Sequence, residues 1–248
     1  MNKREYIRVK DVADSRDPVF KAVAHVEQPE SVDLRPKCSP IKNQLTLGAC
    51  TGYAIIGLLE HLELVKNEKL IPLSELFVYF NERMVEGTIN SDAGANIRDG
   101  IKSILTWGAC SESIWPYVID QFKIKPKADA YIDAATRRDY ECASVRQTEH
   151  EICACLASGS PIVFGIMVYE SLESDEVAKT GIAPMPAEGE KMLGGHALLI
   201  VGYDKKDQTF LIRNSWGPHW GIKGYFKLPF AYVLDPNLAD SFWTIRNK

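Results

Sequence analysis

The chain has 248 residues, of which 46% are apolar and 25% are charged, which is typical of globular proteins and excludes wholesale disorder or a collagen-like repeat. Its 29 lysines and arginines against 33 aspartates and glutamates give a net charge of −4, so electrostatics offer no support for a nucleic-acid partner. No stretch approaches the roughly 18 apolar residues that span a bilayer, and no membrane partner is expected. The length permits one large domain or two small ones.

The first half of the chain carries helical patterns. Residues 1–29 are charged and have little helical period, which predicts an N-terminal arm that leads into a domain over 30–248. From 48 to 66, apolar residues recur at three- and four-residue steps, which predicts a helix with one buried face. Two further helices are predicted at 74–83 and 95–107, whereas 123–138 is polar and has no clear period.

The second half has the pattern of short strands. Runs of β-branched and aromatic residues, separated by turn residues, occupy 161–169, 197–203, 209–213, 224–228 and 242–246. We therefore expect an α+β protein with a helical lobe over about 45–136 and a β-rich lobe over about 137–248. Two such lobes are expected to pack with a cleft between them.

Cysteine usage favours a reducing environment. The six cysteines are Cys38, Cys50, Cys110, Cys142, Cys153 and Cys155. The N-terminus lacks the run of about 7–15 apolar residues that marks a secretory signal peptide, so free thiols in the cytoplasm or another reducing compartment are expected. Cys153 and Cys155 have no histidine at zinc-ligand spacing beside them, which favours buried thiols over a metal site.

Cys50 is the first candidate for chemistry. It ends the segment Gln44-Leu-Thr-Leu-Gly-Ala-Cys50, at the point where the helical period starts. A thiol in the first turn of a helix feels the positive end of the helix dipole and exposed N–H groups. Both effects lower the pKa of the thiol and favour the nucleophilic thiolate. Position alone leaves open an inert, buried cysteine.

A thiol nucleophile needs a base, and five histidines are available: His25, His61, His150, His196 and His219. His61 lies about 16 Å along the helix from Cys50, too far to share a proton. His25 lies in the arm, and His150 lies among glutamates in a segment expected to be exposed. His196 follows two glycines, which let the backbone approach closely and direct the next side chain out of the sheet end. A hydrogen-bonded core histidine remains the alternative.

Asn214 could complete such a site. It follows a short strand, eighteen residues after His196, so two adjacent antiparallel strands would place the two side chains together. The amide oxygen could then accept the imidazole N–H and fix its tautomer. Trp216 and Trp220 would shield that bond from water. A simple turn residue is the alternative for Asn214.

These residues stand in a longer series of motifs, namely Ser31-Val-Asp-Leu-Arg35, Pro40-Ile-Lys-Asn-Gln44, Gly48-Ala-Cys50, Leu73-Ser-Glu75, Gly194-Gly-His196-Ala and Asn214-Ser-Trp216-Gly. In this order and over residues 29–230 the series resembles the papain-like cysteine peptidases of the cathepsin family. The resemblance implies a two-lobed fold, with a helical left lobe, a β-barrel-like right lobe and the active site in the cleft between them.

The resemblance also implies catalytic roles. Cys50 would be the nucleophile, His196 the general base and then the acid, and Asn214 the residue that orients His196. The side-chain amide of Gln44 and the backbone N–H of Cys50 would form the oxyanion hole. No metal or organic cofactor is implied. The partner would be a peptide or protein substrate, and the enzyme would act as a monomer.

The chain departs from the family pattern around the cleft. Thr51 replaces a tryptophan of the cleft wall, and Leu47 replaces a cysteine, so the disulfide of that cysteine would be missing. The substrate-binding residues are expected to be Gly94, Ala95, Asn96, Gly195 and Trp216; Ala95 stands where the family has the second glycine of a pair. Residues 177–193 would border the leaving-group side of the cleft or form a solvated loop.

We therefore expect a cysteine endopeptidase. One alternative is a catalytically inactive homologue that binds peptides or a partner, and another is an exopeptidase in which residues 177–193 block one end of the cleft. Residues 1–29 are too short for the helical pro-segment of the family, but they could inhibit the enzyme by lying across the cleft. Val19-Phe20 and Val23-Ala24 would then occupy substrate pockets; an arm without a regulatory role is the alternative.

Overall fold

The computed structural model describes residues 5–12, 14–21 and 27–248. Seven helices are present in this part of the chain: α1 (Cys50–Asn67), α2 (Glu75–Glu86), α3 (Ile97–Trp107), α4 (Ala128–Ala134), α5 (Glu149–Ala157), α6 (Asp175–Thr180) and α7 (Phe230–Leu234). Seven strands accompany them: β1 (Ser31–Asp33), β2 (Tyr140–Ser144), β3 (Ile162–Tyr169), β4 (Met192–Asp204), β5 (Thr209–Arg213), β6 (Tyr225–Pro229) and β7 (Ala239–Asn247).

The three helices predicted in the first half are confirmed, and capping side chains set where two of them begin. The Ser74 hydroxyl accepts a hydrogen bond from the third residue of α2, and the Asn96 side chain accepts one from the third residue of α3, as expected of N-cap residues. No helical period is evident over 123–138, the segment in which the structure forms α4. This helix is short and buries only Ala130 and Ala134. Two buried alanines are too few to produce a recognisable helical period in a polar segment.

The strands form one antiparallel sheet in the order β2-β7-β3-β4-β5-β6, and β1 pairs with β4. The sheet is open, because β2 and β6 lie at its two ends and do not pair with each other among the described residues. This corrects the expectation of a barrel-like lobe. Strand β4 is paired with β3, β5 and β1, so the strand that carries His196 is fixed by neighbours along most of its length.

The two lobes meet where α1 packs on the sheet. Buried side chains of α1 and of β4 belong to one apolar cluster, which includes Cys50, Ile56, Ala197 and Leu199. Gly57 allows this close approach, because a Cβ there would lie 3.1 Å from the Arg213 side chain of β5. Complete burial of each large aliphatic side chain contributes about 1.5–3 kcal/mol. The packing therefore fixes the nucleophile helix directly against the strand of the candidate base.

Part of the N-terminal arm is docked on the right lobe, away from the cleft. Val19 forms a parallel bridge with Ser144 of β2, and the Phe20 N–H donates to the Ser144 carbonyl at 2.8 Å. Phe20 is buried in the right-lobe core. The expectation that Val19-Phe20 fills substrate pockets is therefore wrong, because an apolar core cluster beside β2 already accepts Phe20. Val23-Ala24 and His25 lie outside the described residues.

The cysteines and helices bear on the environment of the chain. All six cysteines are free, and Cys153 and Cys155 are completely buried in the right-lobe core. Among the described residues, no helix is both long and apolar enough to cross a membrane.

Candidate active site

Cys50 is the first residue of α1 and is 2% exposed. The preceding residue, Ala49, has no side chain that could cap the helix, so the first N–H groups of α1 remain for the thiol or for a substrate. The Cys50 sulfur interacts with the backbone N–H of Ala197, the residue after His196. The predicted nucleophile thus lies at the helix start and next to the strand of the predicted base.

His196 and Asn214 are paired as their spacing predicts. Strands β4 and β5 run antiparallel, and the Nε2 atom of His196 lies 3.1 Å from the Asn214 Oδ1 atom. Oδ1 can only accept, so Nε2 carries the proton in this pair. The Trp216 ring stacks on the His196 ring with centroids 5.1 Å apart and planes 23° apart. The imidazole is thereby held in one tautomer and one orientation, with Nδ1 as its other nitrogen.

Gln44 is held beside this pair by Ser215. The Ser215 hydroxyl donates to Gln44 Oε1 at 2.5 Å, and the Gln44 backbone N–H donates to the Ser215 carbonyl at 2.9 Å. Gln44 Nε2 donates one hydrogen to the Leu47 carbonyl at 3.0 Å, which leaves its second hydrogen for a substrate oxygen. The Ser215 N–H donates to Asn214 Oδ1 at 2.8 Å. Ser215 therefore orients both amide side chains, a role that was not predicted although Ser215 lies inside the motif.

Asp92 joins the nucleophile loop to the opposite cleft wall. Its carboxylate accepts the Gly48 N–H at 3.0 Å and the hydroxyl of Tyr79. The same Tyr79 oxygen accepts the Gly94 N–H at 3.2 Å. This network fixes the spacing between the segment before Cys50 and the segment 94–96. It was not predicted, because a single aspartate in a loop has no pattern that distinguishes it from a solvated residue.

The cleft is occupied by residues 6–9 of the arm, which we call the cleft segment. On the right lobe, the Gly195 N–H donates to the Tyr6 carbonyl at 3.1 Å, and the Arg8 N–H donates to the Gly195 carbonyl at 3.2 Å. On the left lobe, the Val9 N–H donates to the Ala95 carbonyl at 3.3 Å. The cleft segment therefore bridges the two lobes as an added extended strand.

The fit of the cleft segment is close. A Cβ atom at Gly94, whose φ is +65°, would lie 2.3 Å from the Ile7 carbonyl oxygen, so only glycine leaves room for this backbone. The Tyr6 ring lies edge-on to the rings of His196 and Trp216, with centroids 5.9 and 6.1 Å away. Access to the site from solvent is closed in this arrangement.

Closure changes the expected chemistry of the thiol. Burial raises the pKa of Cys50 from 9.0 to about 11, opposed in part by the Ala197 N–H and the positive charge of Arg8. The sequence predicted a lowered pKa, and for the covered site that prediction is wrong. It counted the helix dipole but not the loss of water around the sulfur, which disfavours the charged form. The covered Cys50 is a neutral thiol at pH 7.

The structure brings together all of the predicted site residues. Cys50, His196, Asn214 and Gln44 are joined through Ala197 and Ser215. The five predicted substrate-binding residues surround the cleft segment; they are Gly94, Ala95, Asn96, Gly195 and Trp216. Besides Ser215 and Asp92, two further residues of the site were not predicted: Arg8 of the cleft segment and Asp240 of β7, whose side chains form a buried ion pair at 2.7 Å.

Known proteins are similar to this chain in sequence and in architecture. Residues 28–232 match the sequence model of the papain family cysteine proteases. The chain is 38% identical to an uncharacterised peptidase C1-like protein of Acanthamoeba polyphaga mimivirus, over 98% of this chain and 87% of that protein. It spans only 57–63% of the length of cathepsin relatives that it matches.

Solved structures agree with the sequence matches. Xylellain, a cysteine protease from Xylella fastidiosa, superposes with a TM-score of 0.93 at 36% identity, covering 100% of this chain and 99% of that one. The proform of the ragweed cysteine protease Amb a 11 shares the fold at 22% identity, with a TM-score of 0.74 over 91% of this chain and 69% of that one. The chain belongs to the papain family of cysteine proteases.

Proposed function

We propose that the protein is an endopeptidase that cleaves peptide bonds through a thioester on Cys50. The observation that carries this proposal is the His196–Asn214 pair beside the Cys50 sulfur. With Nε2 bound to Asn214, the Nδ1 atom is the nitrogen left to exchange a proton with the thiol. In the open site, thiolate and imidazolium would stabilise each other as an ion pair.

The reaction would proceed in two halves. The Cys50 thiolate attacks the substrate carbonyl carbon, and the carbonyl oxygen takes up the negative charge. That oxyanion accepts hydrogen bonds from Gln44 Nε2 and from the Cys50 backbone N–H. The C–N bond then breaks, and His196 delivers its proton to the departing amine. In the second half, His196 takes a proton from water, the hydroxide attacks the thioester, and the carboxylic acid leaves as the thiol is restored.

The main competing function is a peptide-binding homologue without catalysis, and a thiol-reactivity test separates the two. A peptide-like epoxide, left for hours with the full chain at mildly acidic pH, is expected to label Cys50 alone among the six thiols. Covalent capture is irreversible, so even rare opening of the cleft accumulates product. Peptide mapping by mass spectrometry locates the label, and Cys50→Ala is the control. Labelling of another cysteine, or none, would refute the assigned nucleophile.

The oxyanion role of Gln44 gives a second expected result. In Gln44→Glu the side chain keeps an oxygen for the Ser215 hydroxyl but loses the N–H that faces the oxyanion. The acylation rate is expected to fall by roughly ten- to a thousandfold, as for other oxyanion donors. Single-turnover kinetics with a fluorogenic peptide measure it. Ser215→Ala keeps the Gln44 amide but removes the hydroxyl that orients it, so its acylation rate should fall less than that of Gln44→Glu. A larger fall in Ser215→Ala than in Gln44→Glu would contradict the oxyanion role of Gln44.

We also propose that the arm restrains the enzyme. A leaving amine must lie near His196 to receive its proton, so the residues before the scissile bond lie towards Asn96. The cleft segment has the opposite direction, because its N-terminal Tyr6 contacts His196 and its C-terminal Val9 bridges to Asn96. The peptide bonds of the cleft segment therefore run in the opposite direction to those of a substrate, which disfavours their attack by Cys50. This direction favours a role as an inhibitor over a role as a substrate. The proform among the structural neighbours supports this regulation.

A further inference from the structure

We propose that Asp240 and Gly165 form a pocket that selects an arginine side chain two residues before the scissile bond of the substrate. The inference rests on the proposed peptidase function and names its substrate class. In the structure, the arginine of the cleft segment occupies this pocket. The docked arginine therefore shows which chemical group a substrate side chain must carry to bind in this pocket.

The pocket holds a guanidinium by two parallel hydrogen bonds. Arg8 Nη1 donates to Asp240 Oδ1 at 2.7 Å, and Arg8 Nη2 donates to Asp240 Oδ2 at 2.8 Å. The Arg8 side chain is 0% exposed and that of Asp240 is 6% exposed. Two matched bonds of this kind fit the planar fork of arginine and not the single ammonium of lysine.

Gly165 supplies the room for this side chain. It lies in β3 directly opposite Asp240 of β7, beside an irregularity in the register of the two strands. A Cβ atom at Gly165 would lie 2.2 Å from the central guanidinium carbon of Arg8. Its chain neighbours Phe164 and Ile166 are large and completely buried. Because Gly165 has no side chain, the guanidinium has room to reach the Asp240 carboxylate.

Opening of the cleft removes the cation that pairs with Asp240. The Ser241 hydroxyl donates to Asp240 Oδ1 at 2.6 Å and orients the carboxylate without neutralising it. Among the described residues, Arg8 is the only cation that forms an ion pair with Asp240. When the cleft segment leaves, this carboxylate loses the counter-charge that Arg8 supplies in the docked state. A substrate arginine restores both the charge balance and the two hydrogen bonds, whereas an apolar side chain restores neither.

The position of the pocket follows from the contacts of the cleft segment. Tyr6 lies on the leaving-group side, against His196 and Trp216. Ile7 comes next and lies against Gly48 and Gly94, the walls closest to Cys50, where the first residue of the acyl side would bind. Arg8 is one step further in that direction. Its pocket therefore accepts the second residue before the scissile bond.

The test compares blocked fluorogenic dipeptide amides that share the residue next to the scissile bond and carry arginine, citrulline or leucine before it. Citrulline has the shape of arginine without its charge. With the full chain, kcat/KM is expected to favour arginine over citrulline and leucine by on the order of ten- to a hundredfold. The arm competes equally with all three peptides, so it cancels from these ratios.

Variants assign the preference to the pocket. In Asp240→Asn the arginine-to-citrulline ratio should collapse towards one. Asp207→Asn, which removes an exposed carboxylate paired with Lys227 on the same lobe, should leave that ratio unchanged. Thermal unfolding of each variant verifies that the fold is retained. A ratio that survives Asp240→Asn, or a wild-type preference for leucine or citrulline, would overturn the proposed pocket while leaving the peptidase function standing.

Binding distinguishes failure of the pocket from failure of catalysis. In the double variant Cys50→Ala/Arg8→Ala, the full chain cannot form a thioester and its pocket is empty of arginine. Calorimetry with the same peptides is expected to show tighter binding of the arginine peptide by at least about tenfold. If no peptide is hydrolysed but this selectivity is present, the pocket stands and the peptidase function fails. Equal binding of all three peptides, or none, refutes the pocket.

Discussion

Replacement of His196 by alanine is expected to reduce kcat/KM by on the order of ten-thousandfold or more, whereas Asn214→Ala should leave activity that is readily measured. In the proposed reaction His196 moves the proton in both halves, and no other side chain in the described site can take over that transfer. Asn214 only orients the ring. Loss of its hydrogen bond is worth about 1–3 kcal/mol, which corresponds to roughly ten- to a hundredfold in rate.

The structure explains why replacement of Asn214 should reduce kcat/KM less than replacement of His196. The His196 ring stays stacked on Trp216, so its orientation does not depend on Asn214 alone. Asn237→Ala, at an exposed asparagine of the same lobe, is the matched control and should retain full activity. Steady-state kinetics on a fluorogenic peptide, with thermal unfolding to confirm the fold, decide the matter. Equal losses in His196→Ala and Asn214→Ala would contradict the division between proton transfer and orientation.

The residues of the candidate site could be located from the sequence because local patterns encode each of them. Cys50 coincides with the first residue of the helix that the apolar period predicts. His196 lies in β4, and Asn214 directly follows β5, the strand that pairs with β4. These patterns extend over a few residues and follow from helix and strand geometry. The motifs also fixed the order of the elements, so the two-lobed α+β architecture was predictable.

The proposed arginine pocket could not be predicted in the same way. Arg8 and Asp240 are 232 residues apart, and no periodicity connects a charged residue of an arm to one near the end of the chain. In the sequence, the aspartate is one of many expected to be solvated, and Gly165 is a single glycine in an apolar strand. Only the register of β3 and β7 shows that the glycine faces the carboxylate.

The pKa of Cys50 was mispredicted for a related reason. The helix dipole acts locally and is evident from the sequence, but desolvation depends on which chain segment covers the sulfur. Here the covering segment is the cleft segment, more than forty residues earlier in the chain. The sequence indicated an arm that could reach the cleft, but placed Val19-Phe20 there. Backbone pairing and a buried ion pair, together with the Tyr6 and Ile7 side chains, hold the segment that lies in the cleft.

Arg8→Ala is expected to release the cleft and to activate the enzyme on the order of a hundredfold. The change leaves the Asp240 carboxylate buried and unpaired whenever the arm is docked. Breaking a buried ion pair in this way costs about 3–5 kcal/mol, and even the lower figure shifts the docking equilibrium by roughly a hundredfold. A fluorogenic peptide with leucine in the pocket position measures the gain, because its binding does not require the Asp240 charge.

The thiol provides a second readout of the same release. In the docked state, burial raises the pKa of Cys50 to about 11. We expect opening of the cleft to rehydrate the sulfur and to lower this pKa, so docking is opposed as pH rises towards 11. Alkylation of Cys50 by iodoacetamide should therefore increase steeply in the wild type only at alkaline pH, whereas Arg8→Ala should react rapidly near neutral pH. Arg16→Ala, which removes an exposed arginine of the same arm that pairs with Asp14, should match the wild type. Identical pH profiles and peptide rates for Arg8→Ala and wild type would show that the arm does not restrain the site.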